Sequence, residues 1–124
     1  MPIRKKSIKV TTAGAAGSAT GSTTSGPING KLLAIWFDFT GAAATGDTTV
    51  AYAVPAMGNI IVISNSATDA LHFPRKQASD AAGAAIAGAY DPYPLVGTVT
   101  VSVAQSDAGT DSVVATLIYD SEGA

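Results

Sequence analysis

The chain has no cysteine in its 124 residues. That removes disulfides, thiolate metal sites and a cysteine nucleophile together, and argues against a small secreted disulfide scaffold. Charge is scarce too, with Asp, Glu, Lys and Arg making up 13% of the residues, and there is a single histidine, His72. No run approaches the roughly 18 apolar residues that a membrane-spanning helix needs. Arg4-Lys5-Lys6 is followed by Ser7-Ile8-Lys9-Val10, not by the apolar stretch of a secretion signal. These absences predict a protein made and kept in a cytoplasm, with no membrane partner.

What is abundant is small. A mass of 12.3 kDa over 124 residues reflects many Ala, Gly, Ser and Thr, and the mean hydropathy is +0.30. The length fits one domain with a thin core. Assembly with copies of itself or with a larger partner would supplement that core by mass action. A low-charge, mildly apolar surface suits a packed structural component better than a free enzyme.

The few charges are unevenly placed. Arg4, Lys5, Lys6, Lys9 and Lys31 give +5 before Asp38; from there on Arg75 and Lys76 meet nine acids, giving −7 and a net of −2. The basic end could meet an acidic protein surface or lie in water as a short arm. It has too few cations, and no interleaved aromatics, for a nucleic-acid face.

Strand-like alternation recurs along the chain. Ser7–Thr12 could be a first or edge strand guarded by lysine. Ala13–Gly30 has a composition that buries too little to fold alone. Residues 1–30 are therefore predicted to form an extended arm, removable without unfolding a β-domain over 31–124. In that domain Leu33, Ile35, Phe37 and Phe39 share one parity and are expected inward, with Trp36 on the other face. Gly41–Asp47 reads as a turn. Thr48–Val54 follows, ended by Pro55 and Gly58. Asn59–Ser64 is apolar on both parities and reads as a central strand; Leu71–Phe73 is short and stopped by Pro74. Gln77–Gly97 is the longest connection; its alanines allow one or two helical turns over 78–87, and Pro92 and Pro94 stiffen the segment that carries Tyr90 and Tyr93. Gly97–Gln105 alternates cleanly with Val99, Val101 and Val103 inward. Ser112–Tyr119 is apolar on both parities and should be central, and Asp120–Ala124 is a polar tail. About seven strands and no amphipathic helix predict an all-β fold: a single antiparallel β-sandwich, jelly-roll or Greek-key in wiring.

Catalytic chemistry finds little support. His72 has no His or Cys companion for a metal and no marked nucleophile or orienting acid. The aspartates sit in turns, where a carboxylate usually bonds the local backbone; Asp107 and Asp111 around Gly109 are a weak calcium motif. Gly41-Ala42-Ala43-Ala44-Thr45-Gly46 lacks the Gly-Lys-Ser/Thr ending of a phosphate loop. Arg75 suits a carboxylate partner, with Asp80 or Asp91 available. Trp36, Tyr90 and Tyr93 are contact groups, for a protein or for sugar rings. No cofactor, metal ligand set or catalytic residue is expected.

The order Pro74-Arg75, Asp80-Ala81-Ala82-Gly83-Ala84-Ala85-Ile86, Gly88-Ala89-Tyr90-Asp91, the Thr98–Val103 strand and the closing Val113–Tyr119-Asp120 resembles the small β-sandwich decoration, or cement, proteins of tailed-phage capsids. The strand Lys31–Phe39 fits the same pattern, so the resemblance covers about Gly30 to Asp120. It implies a non-enzymatic virion protein on the outside of a capsid, bound to the major capsid protein and often trimeric. Arg4, Lys5, Lys6 and Lys9 would then meet the capsid, and Trp36, Arg75, Tyr90 and Tyr93 would be subunit contacts. The competing expectation is a carbohydrate- or receptor-binding sandwich of a head fibre or tail.

Overall fold

The computed structural model describes residues 3–39, 44–54 and 57–121. These contain eleven β-strands and no α-helix. In chain order they are β1 (Ile3–Thr12), β2 (Ala19–Thr24), β3 (Ile28–Asp38), β4 (Asp47–Tyr52), β5 (Asn59–Ile63), β6 (Ala70–His72), β7 (Arg75–Ser79), β8 (Ala85–Pro92), β9 (Pro94–Gly97), β10 (Val99–Ser106) and β11 (Gly109–Asp120). All pairings are antiparallel. A five-stranded sheet runs β1-β11-β3-β6, with β9 also on β3; a four-stranded sheet runs β2-β10-β4-β5; β7 and β8 form a ribbon of their own. The fold is the expected all-β antiparallel sandwich, but with eleven strands where the sequence predicts about seven, because β2, β7, β8 and β9 form in segments that read as arm or loop. Of the segments outside the described residues, 41–43 fall in the expected turn, Pro55 at the expected strand end and 122–124 in the expected tail.

The core lies between the two larger sheets. Val99, Val101 and Val103 of β10 point inward as their alternation requires, into the same core as Val113, Ala115 and Leu117 of β11. β11 is central, between β1 and β3. Phe37 is fully buried, stacked on Phe39 at 5.6 Å between ring centroids.

Four expectations need correction. The expected arm is part of the sandwich. β1 pairs with β11 and β2 with β10, so the two strands edge opposite sheets, and Ile8, Val10, Thr12 and Ala19 are buried. The small residues between them make a corner: Ala13 bridges Thr20, and a side chain at Gly21 would land on the Thr11 carbonyl oxygen. The parity of β3 switches partway. Ile28 and Leu32 face inward in its first half and Ile35 and Phe37 in its second, because the ladder to β11 shifts where Ala34 and Leu32 face Ile118 and Tyr119. Leu33 is left half-buried on that bulge.

β5 is an edge, not a central strand. It pairs only with β4, the chain then crosses to the other sheet as β6, and Val62 stays 53% exposed. The possible helical turns over 78–87 are instead the end of the β7–β8 ribbon. Gly83 and Gly88 have φ of +88° and +78°, which helix does not allow. Asp80 closes the turn by accepting the amide hydrogens of Ala82 and Ala84 at 2.9 and 3.0 Å.

Candidate interaction surface

Register organises the outer face of the five-stranded sheet into rows. Ser7 lies opposite Thr116, Thr116 opposite Trp36, and Trp36 opposite Leu71, so one row crosses from β1 to β6. The Ser7 and Thr116 hydroxyls are hydrogen-bonded at 3.0 Å. Flanking rows run Lys9–Val114–Asp38 and Lys5–Ile118–Ala34. The face therefore grades from cations and hydroxyls at β1 to apolar groups at β6. Trp36, Leu71 and Phe73 are 41, 47 and 61% exposed.

β1 leaves its far edge open. Arg4, Lys5, Lys6 and Lys9 are all exposed on it, as their composition predicts. Lys5 and Lys9 have the parity of Ser7 and belong to the outer face. Arg4 and Lys6 have the inward parity of Ile8 and Val10, yet remain in water. The opposite sheet reaches β1 from Lys9 onward, where the Thr23 hydroxyl donates to the Lys9 carbonyl at 2.8 Å. Arg4 donates to the Ser121 hydroxyl at 3.1 Å.

The ribbon is rooted at the β3 bulge. Leu32 N–H donates to the Tyr93 carbonyl at 2.9 Å, and the Arg75 guanidinium donates to the carbonyls of Leu33 and Pro74 at 3.0 and 2.7 Å. Arg75 thus clamps the backbone of its own chain instead of pairing with Asp80 or Asp91. Beyond this root nearly every ribbon residue is exposed, including Ile86 and Tyr90. Tyr93 is half-buried against the core. The structure therefore separates the expected contact residues: Trp36 on the sheet face, Arg75 and Tyr93 at the ribbon root, Tyr90 on the ribbon opposite Gln77.

Beside the root, Tyr52, Asn59, Lys76, Tyr93 and Pro94 line a shallow groove of about 380 Å³. Tyr52 donates to the Pro94 carbonyl at 2.6 Å. Burial, and secondarily the neighbouring Tyr93, hold its phenol above the ordinary value of 10.0.

The remaining polar residues have local structural work. His72 lies opposite Ile35 with its ring edge-on to Phe37 at 5.7 Å. Asp47 accepts from Asn65 N–H, Asp69 from Phe39 N–H and Asp107 from Gly17 N–H. Among the described residues no group of three His, Asp or Glu could hold a metal ion. Leu71, the cross-strand neighbour that makes Trp36 part of a patch, reads in the sequence only as part of a short strand, because the pairing of β3 with β6 joins distant segments. In comparison with known proteins, no protein-family model and no curated protein matches this chain.

Proposed function

We propose that this is a non-enzymatic structural protein that binds the outside of a tailed-phage capsid through its major capsid protein and stabilises the shell. One observation carries the reading: Arg4, Lys5, Lys6 and Lys9 stand together, exposed, along one open sheet edge. A row of cations on an edge suits an acidic protein surface, and attraction of this kind steers association and weakens with salt. It also keeps that edge from pairing with other strands. The protein works as a homo-oligomer, a trimer if the resemblance to capsid decoration proteins holds, on the virion surface and without cofactor.

Co-sedimentation with purified capsid shells tests this. The wild-type chain pellets with shells, and a variant with Arg4 and Lys6 changed to Glu, which leaves the outer-face Lys5 and Lys9 in place, stays in the supernatant while remaining folded. Equal pelleting of both contradicts the reading.

A second reading, a carbohydrate-binding sandwich, draws on Trp36 standing exposed beside the hydroxyl of Thr116 in the same row as Ser7. Glycan-array binding that disappears in Trp36→Ala would favour it.

A further inference from the structure

Among the described residues the β7–β8 ribbon pairs with neither packed sheet, whereas every other strand belongs to one of them. A two-stranded ribbon in water is marginal by itself, and this one exposes Ile86 and Tyr90 along with both of its outer edges. On the same molecule an apolar patch, Trp36, Leu71 and Phe73, lies uncovered on the five-stranded sheet. We propose that the two belong to one contact: the ribbon of one copy lies across the outer sheet face of a second copy.

Charge and size fit this occupant. The ribbon's two bases, Arg75 and Lys76, sit at its root, where Lys76 lies opposite Asp91; its outer part carries the acid Asp80 and no base, while the receiving face carries Lys5 and Lys9 against Asp38. Unlike charges therefore meet when the outer part of the ribbon, with Asp80, lies on the lysine side of the face. At about 3.3 Å per residue, the eight residues of β8 reach ~26 Å, more than the ~14 Å from β1 to β6 at the usual strand spacing. Alanine and glycine fill most of positions 81–89, so the ribbon can approach closely without bulky side chains in the way. The contact is head-to-tail: each copy gives a ribbon and receives one, which closes into a ring if the rotation allows.

This deepens the assembly part of the reading above and is tested without shells, so either can fail alone. Two folded variants are made: a face variant, Trp36→Glu with Leu71→Glu, and a ribbon variant, Ile86→Lys with Tyr90→Lys. Native mass spectrometry and light scattering give the masses. The wild type is expected above monomer mass and each variant alone at monomer mass. An equimolar mixture is expected to form a 1:1 heterodimer, because the face variant's intact ribbon meets the ribbon variant's intact face. A monomeric wild type, or a mixture of folded variants that stays monomeric, overturns the proposal. As a check that perturbs no apolar group, Lys5→Glu with Lys9→Glu should weaken wild-type association at least tenfold at low salt; unchanged association overturns it equally.

Discussion

Tyr52 and Pro94 join the two sheets: the phenol on β4 donates to the β9 carbonyl across 2.6 Å. The bond fixes the segment that enters the ribbon root from one side, as Leu32 and Tyr93 fix it from the other. Changing Tyr52 to Phe keeps the ring and removes the donor. The expected cost is about 1 kcal/mol in chemical denaturation. The pH dependence has a definite sign. Folding raises the Tyr52 pKa above its unfolded value of about 10, so its contribution is complete below pH 10 and is lost as pH rises through the folded value. Wild type should lose stability above pH 10 more steeply than Tyr52→Phe, and parallel profiles would refute that assignment.

Gly21 is required by proximity rather than by backbone angle. A Cβ there meets the Thr11 carbonyl oxygen, which belongs to backbone and cannot swing away. Gly21→Ala must part the β1–β2 corner, at a cost of about 1–3 kcal/mol. Gly26→Ala, where a Cβ meets open space, is the control. Thermal unfolding of the pair should separate them clearly. By the same logic, deleting residues 1–30 removes buried Ile8, Val10 and Ala19 along with two edge strands, and should leave an unfolded chain.

Arg75 bonds the backbone of its own chain. Replacing it with Met keeps the aliphatic stem and removes the donors to Leu33 and Pro74. Amide exchange across 76–91 should then accelerate about fivefold to tenfold, as expected for losing about 1 kcal/mol of local anchoring, while core amides of β10 and β11 keep their rates. Uniform acceleration through the core would mean that Arg75 supports the whole fold.

β10 and β11 are legible in the sequence because their side chains state their surroundings: alternating valine and hydroxyl residues for a two-faced strand, apolar residues on both parities for a central one. Leu32-Leu33-Ala34-Ile35 hides its bulge, since any register offers an apolar residue to the core. Ala13–Gly30 looks like low complexity because a corner between sheets needs small residues, as a flexible arm does. Ala81–Ala89 suggests helix through alanine, and only Gly83 and Gly88 speak against it. Of the candidate surface, the cations of β1 are legible because lysine stays in water wherever its strand goes. The patch around Trp36 is not, because Leu71 reaches it through the pairing of β6 with β3, 35 residues apart in sequence.

The central claim, that β1 is the edge that meets a capsid, is tested most directly by hydrogen exchange of the chain bound to capsid shells against the free chain. Two of the sheet edges serve for comparison, β1 in one sheet and β5 in the other. Slowed exchange over residues 3–9 with unchanged rates over Asn59–Ile63 is the predicted result. Protection along β5 with none along β1 would contradict it.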